Sequence, residues 1–284
     1  MKVGDYDVFT VLAGYFRLDG GAMFGVVPKM LWEKALPGDL RNRILLAMRV
    51  LVIRGKNRVI CVDCGAGEHW PDNLNDIYAF DYSQFRLVHE LAKHGIRRDD
   101  VTDLVLTHLH FDHVGGATTE GPYGENKTDG LVFPNADVWI GKENWDHACC
   151  PTEKDRASFF RALIEPLALK DRLHLVAQDS EIAPHVVSLL TEGHTPGQQL
   201  VQVQGGDHTL LFCGDTIPTS HHVPLPYIMA YDLAPLKTLE EKKRLLEQAA
   251  SENWGLVFSH DPHISACTVQ LAKGKYQRGE SLSL

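Results

Sequence analysis

The stretch Thr107-His108-Leu109-His110-Phe111-Asp112-His113-Val114-Gly115-Gly116 decides the reading of this chain. It places four potential metal ligands, His108, His110, Asp112 and His113, within six positions, directly after a short apolar run at 104–106. Imidazole and carboxylate are ligand types that suit zinc and similar divalent ions. On an extended segment side chains alternate, so His108 and His110 point to the same side. Asp112 and His113 are neighbours and diverge, so they do not easily serve the same ion as the first two. The spacing therefore predicts two metals, each needing further ligands from elsewhere. Gly115 and Gly116 let the backbone turn tightly beside the site. A surface patch of histidines is the bland alternative, and four ligand-type residues packed behind a buried strand argue against it.

Three later segments offer the missing ligands. Gly193-His194-Thr195-Pro196-Gly197 sets a histidine in a Gly- and Pro-bracketed turn. Phe212-Cys213-Gly214-Asp215-Thr216 ends an apolar run in an acid, and Phe258-Ser259-His260-Asp261 ends another in a histidine. Each falls where a strand gives way to a loop, which is where catalytic groups are usually displayed. Any one of them alone is weak, since Asp215 could cap a turn and His260 could be a satisfied core histidine.

Outward from these segments, apolar runs at 8–12, 45–53, 59–62, 104–106, 138–140, 173–176, 186–190, 200–203, 210–213 and 255–258 predict strands, the last of these closing the strand list. Helical spacing predicts helices over 83–94 and 158–169, with Pro166 disturbing the end of the second. Thr238-Leu239-Glu240-Glu241 reads as a capping box opening a helix that runs to about residue 250. Antiparallel-looking strand groups with interspersed helices suit two sheets packed face to face with helices outside, an α/β layered sandwich. No hydrophobic gap marks a border, so residues 1–284 are expected to form one domain.

Composition narrows the function classes. Of the 284 residues 44% are apolar and 23% charged, a normal globular balance. The formal net charge of −9 argues against nucleic acid, which wants clustered Lys and Arg. No apolar run approaches the roughly 20 residues that span a bilayer, so no membrane partner is expected. Acids at Asp5 and Asp7 stand where a signal peptide would be apolar, which points to the cytoplasm. The six cysteines form no evenly spaced framework and read as reduced thiols. Cys61-Val62-Asp63-Cys64 matches C-x-x-C, but no second such pair completes a zinc knuckle, and buried strand cysteines are the expectation.

Taken together, H-x-H-x-D-H, G-H-T-x-G, G-D-T and the late S-H-D resemble the metallo-β-lactamase superfamily of metallohydrolases, over a span from Asp63 to His260. The resemblance implies an αββα four-layer sandwich with two metal ions at one edge between the sheets. It implies that His108, His110 and His194 hold the first metal, that Asp112, His113 and His260 hold the second, and that Asp215 bridges both. Asp63 matches the family's early strand-end acid, which braces the metal loop and is not a ligand. Residues 19–29, Trp32, Pro218-Thr219 and residues 224–232 are similar to the branch containing quorum-quenching N-acyl-homoserine lactonases, with methyl parathion hydrolase a more distant relative. Well-known lactonases place a tyrosine three residues after the bridging acid. Here that position is Pro218, and Tyr227 and Tyr231 are candidates for a substitute donor. The branch's habit of dimerising implies a homodimer.

Two cations sharing a carboxylate also share a water and lower its pKa from about 15.7 towards 7, so a bridging hydroxide is the expected nucleophile. No G-x-S-x-G is present to supply a serine. Asp112 and Asp215 are the expected catalytic acids, the first as proton shuttle to the leaving alkoxide and the second as bridge. Zinc fits the nitrogen-rich set, and cobalt, manganese or iron fit nearly as well. Met23, Phe24, Trp32, His222, Tyr227 and Tyr231 are the candidate substrate contacts, with Met30, Pro224, Leu225, Ile228 and Met229 as further apolar wall candidates. A small lactone or ester is the expected substrate. Phosphotriesterase or β-lactamase activity is the alternative. A di-iron oxidoreductase of the same fold is the distant one, since such relatives carry Glu where this chain has His110.

Overall fold

In the computed structural model, residues 1–119, 121, 130–168 and 171–284 are described. Seven strands build the first sheet, in spatial order β1 (Lys2–Val3), β2 (Tyr6–Asp19), β3 (Arg43–Arg54), β4 (Val59–Val62), β5 (Asp103–Val105), β6 (Asp137–Gly141) and β7 (Leu173–Val176). β1 to β4 pair antiparallel, and β4 to β7 run parallel. The second sheet holds β8 (Ser180–Ala183), β9 (Val186–Thr191), β10 (Gln198–Gly205), β11 (His208–Phe212), β12 (Gly255–Val257), β13 (Ala266–Ala272) and β14 (Lys275–Leu282). Its pairs are antiparallel except β11 with β12. The helices are α1 (Gly20–Phe24), α2 (Lys29–Trp32), α3 (Asp72–Tyr78), α4 (Leu87–Lys93), α5 (Phe111–Val114), α6 (Lys142–Cys149), α7 (Arg161–Ala168) and α8 (Pro235–Glu252).

Side-chain alternation along the strands sorts the core into layers. Leu51 and Ile53 of β3 pack with Val201 and Val203 of β10 and Phe212 of β11, a seam drawn from both sheets. Their neighbours on β3, Val50 and Val52, face the other way and join Leu91 of α4 and Leu163 and Leu167 of α7. On the second sheet Leu200, Leu211 and Leu256 face Leu245, Leu246 and Ala249 of α8. Helix, sheet, sheet and helix therefore stack in four layers, the αββα arrangement expected. Strands covered on both faces read as near-continuous apolar runs, and residues 45–53 stood out for that reason. Burying each such side chain stabilises by about 1.5–3 kcal/mol.

Element boundaries depart from expectation where local signals mislead. β12 does not end the strand list: β13 and β14 follow it as an edge hairpin. β14 is mostly exposed, so it lacks the apolar run that flags a strand. The second helix covers Arg161–Ala168 and contains Pro166; Leu169, the expected end, lies outside the described residues. The first covers only Leu87–Lys93 of 83–94. α8 opens three residues before the capping-box threonine, with Pro235 in its first turn, and Thr238 is buried inside it. Cys61 and Cys64 are buried free thiols, and burial pushes Cys61 up to about 12, so both behave as core. No helix among the described residues is long and apolar enough to cross a membrane.

Phe212 is fully buried between the sheets. Phe212→Ala is expected to cost about 3–5 kcal/mol of unfolding free energy in a denaturant titration. A loss under about 1 kcal/mol would mean that the seam between the sheets is misplaced.

Candidate metal centre

β5 runs into Leu106 and Thr107, after which His108 and His110 leave in an extended stretch and α5 begins at Phe111. His110, with φ −65° and ψ 150°, is the last extended residue. The change of backbone there turns Asp112 and His113 away from the first two ligand candidates. The end of α5 lies against the segment that follows β4. A Cβ on Gly115 would stand 2.1 Å from the Ala66 carbonyl oxygen, and one on Gly116 would stand 2.0 Å from that of Cys64. Only glycine permits this approach. The contact is closed by Cys64 N–H to His113 O at 3.0 Å and Gly116 N–H to Gly65 O at 2.9 Å.

The seven candidate residues converge and all are buried. His110 Nδ1 lies 3.0 Å from His108 Nε2 and 3.2 Å from His194 Nε2. His113 Nε2 lies 3.1 Å from His260 Nε2. Asp112 Oδ2 lies 3.5 Å from His260 Nε2 and 3.8 Å from His113 Nε2. Asp215 stands between the two sets: Oδ1 is 3.0 Å from His260 Nε2 and 3.4 Å from His113 Nε2, while Oδ2 is 3.5 Å from His194 Nε2. Among the described residues, three groups have ligand atoms within 4.8 Å of one another and could hold a metal: His108, His110 and His194; His108, His113 and Asp215; and Asp112, His113 and His260.

The outer ring nitrogens explain the aim of the inner ones. His113 Nδ1 is 2.8 Å from Asp63 Oδ2, His194 Nδ1 is 2.8 Å from Asp232 Oδ1, and His260 Nδ1 is 2.8 Å from Ala47 O. His108 Nδ1 meets Thr107 Oγ1 at 3.0 Å, and that hydroxyl donates in turn to Asp63. Donating Nδ1–H fixes the tautomer and leaves Nε2 as a lone pair, which is how metal-binding histidines are normally oriented. Asp63 also accepts from Thr107 N at 2.7 Å, so it braces the loop without joining any of the three groups. His110 inverts the pattern: Nδ1 faces the cluster, and its buried Nε2 has no partner among the described residues.

A cation fits this donor set. The Nε2 lone pairs of His113 and His260 confront each other beside the Asp215 carboxylate, an arrangement that buried groups tolerate only with added positive charge. Titration tendencies agree. Burial and the facing imidazoles push His108 and His110 well below the usual histidine range. For His113 and His260 burial is the largest single effect and works downward too, but the surrounding carboxylates, Asp215 first among them, together outweigh it and raise both. Burial would raise Asp215, yet His260 and His113 hold it well below the usual carboxylate range.

A cavity of about 250 Å³ opens over the cluster, with His110, Asp112, His194, Asp215 and His260 on its lining. Among the expected substrate contacts, Met23 and Tyr231 line it, as does Met229. Phe24, Trp32, His222 and Tyr227 do not. Phe24 stacks between Trp32 at 5.2 Å and His222 at 4.6 Å, with Tyr227 edge-on at 6.1 Å. His222 Nε2–H donates to Met23 O at 2.8 Å, and burial pushes its pKa down to about 3. This ring stack ties the segment carrying Met23 to the loop after Asp215, and the aromatic spacing reflects that packing. Met30 is exposed. Sequence reasoning assigned no role to Asp232. An acid 38 residues from the histidine it orients leaves no local spacing to find.

The family model described as the metallo-beta-lactamase superfamily matches residues 49–119 and 130–260. The chain belongs to this superfamily. An N-acyl homoserine lactonase of Bacillus thuringiensis is 26% identical over 179 residues, covering 62% of this chain and 62% of that protein. The chain thus spans less than two thirds of that relative's length. An N-acyl homoserine lactonase of Bacillus cereus is 25% identical over 236 residues, covering 79% of this chain and 84% of that protein. Among solved structures, a probable metal-dependent hydrolase from Staphylococcus aureus has a TM-score of 0.87 at 24% identity, covering 99% of this chain and 100% of that one. AidC, a dizinc quorum-quenching lactonase in complex with a product, has a TM-score of 0.81 at 22% identity, covering 100% of this chain and 97% of that one. These two likenesses carry the superfamily fold.

Asp232→Asn keeps the shape but weakens the acceptor that orients His194. Zinc affinity, measured by competition with a chelator, is expected to fall about 10- to 100-fold. Unchanged affinity would mean that His194 is aimed by other contacts.

Proposed function

We propose that this chain is a dinuclear metal-dependent hydrolase that opens lactones, with N-acyl-homoserine lactones the leading substrates. The observation that carries the reading is Asp215, whose two oxygens face two different histidine sets across one buried cluster. The lactonase relatives support the substrate class. His108, His110 and His194 would hold one ion, Asp112, His113 and His260 the other, and Asp215 both. Two bound divalent cations, zinc foremost, would acidify a water and polarise a carbonyl.

The chain's own groups supply the rest. Ring opening needs a proton at the ring oxygen as the carbon–oxygen bond breaks. Asp112 lines the cavity with Oδ2 turned to the histidines, which leaves its other oxygen as the proposed carrier of that proton. Tyr231 lines the same cavity, and burial raises its pKa, so it stays a hydroxyl donor at neutral pH. It takes the role of substitute for the tyrosine that Pro218 replaces, holding the substrate carbonyl; Tyr227 packs on Phe24 instead. Leu18, Met23 and Met229 offer an apolar wall suited to an acyl chain. On this reading residues 1–284 act as one catalytic domain.

A panel of homoserine lactones of several chain lengths, aryl phosphotriesters and chromogenic β-lactams tests the substrate class. Lactones are expected to rank first by kcat/KM, and chelator-stripped protein is expected to be inactive until metal is restored. Phosphotriesters ranking first would remove the lactonase label and leave the centre standing. Asp215→Asn is expected to lower turnover by about 10²-fold or more, as loss of a group acting on transition-state charge does. Near-normal kinetics in that variant would show the bridging acid to be misassigned.

A further inference from the structure

Residues 224–232 do two jobs at once. Met229, Ala230 and Tyr231 line the cavity. Asp232, next in line, accepts from His194 Nδ1 at 2.8 Å. Two lysines hold this segment, one at each end. Lys242 on α8 is fully buried, and its Nζ reaches Pro224 O at 3.1 Å, Leu225 O at 3.5 Å and Tyr227 O at 2.7 Å. It lies 15–18 residues along the chain from those partners. Lys154 comes from between α6 and α7, the half built around the first sheet, 76–78 residues away. Its Nζ lies 3.0 Å from Ala230 O, 3.1 Å from Tyr231 O and 2.7 Å from Asp232 O.

Three consecutive carbonyls turned on one point repel one another unless a cation sits there. A lysine has three N–H donors, and Lys154 spends all three on this backbone. None is left for a substrate carboxylate or phosphate, although Lys154 itself stands on the cavity lining. Its charge therefore serves the wall and not the ligand. The contacts are charge-assisted, the stronger class of hydrogen bond. They are also the link by which the side of the cavity carrying Lys154 grips the segment that carries both Tyr231 and Asp232.

We propose that Lys154 is a positioning residue, a surface latch whose three hydrogen bonds to the carbonyls of Ala230, Tyr231 and Asp232 fix the cavity wall and, through Asp232, the aim of His194. The part concerning His194 rests on the proposed function; the part concerning the wall does not.

Lys154 is exposed, so its variants are expected to fold. The test compares wild type, Lys154→Met and Lys154→Arg, each as the full chain loaded with zinc. Amide hydrogen exchange is followed over residues 224–234, and zinc transfer to a chromogenic chelator is timed. In Lys154→Met, exchange is expected to accelerate over 224–234 and not over 104–116. One zinc equivalent should leave about 10- to 100-fold faster, the usual scale for loss of an outer partner, with the other unchanged. Lys154→Arg, which keeps the charge but cannot set three donors on one point, should fall between wild type and Lys154→Met on both readouts. A general loss of stability would move both segments and both zinc equivalents together, and that result would overturn the latch. So would wild-type exchange over 224–234 in Lys154→Met. A wild-type protein that takes up no zinc would instead refute the metal reading of the proposed function, and exchange would still decide whether Lys154 holds the wall.

Discussion

Electron-rich atoms are packed face to face where water is scarce. The Nε2 atoms of His113 and His260 stand 3.1 Å apart with their Nδ1–H groups already given to Asp63 and the Ala47 carbonyl. Asp215 presses against both from the side. In a low-dielectric interior such an arrangement is costly unless positive charge fills it. The protein holds it open through contacts that spend the outer nitrogens of His108, His113, His194 and His260 on fixed acceptors. Around His260 the grip is tightest. The β3 backbone bonds both its carbonyl and its ring, and the buried Arg49 guanidinium ties the carbonyls of Phe258 and Asp261 on either side.

The fold supplies what those contacts need. β4 and β5 run parallel and end together, so Asp63 at the end of one strand reaches Thr107 just beyond the other. β11 and β12 do the same in the second sheet, bringing Asp215 and His260 out side by side. Facing sheets then bring these two strand-end pairs together at one edge. The segment 224–232 completes the enclosure, carrying cavity wall and His194 orienter within four residues.

What could be read in advance followed from how local the signal was. His108, His110, Asp112 and His113 crowd six positions, and Gly193-His194, Gly214-Asp215 and Ser259-His260 each mark a strand end, so the ligand candidates were legible. The doubly buried strand β3 announced itself as a long apolar run. β14 went unread because an exposed edge strand needs no apolar run to form, and β13 because polar Thr268 and Gln270 interrupt its short buried stretch. Asp232 and Lys154 act across 38 and 76–78 residues, distances at which spacing carries no information. Phe24, Trp32 and His222 were read as a substrate wall because aromatic residues suit both pockets and cores. Only their stacking distances assign them to packing.

The proposed function requires one buried cluster to hold two cations about a shared carboxylate. Anomalous diffraction at the zinc edge from crystals of the zinc-loaded protein addresses it most directly. The account predicts two peaks about 3.5–4 Å apart, one among His108, His110 and His194 and one among Asp112, His113 and His260, with Asp215 between them. A single peak, or zinc bound away from these side chains, would contradict it.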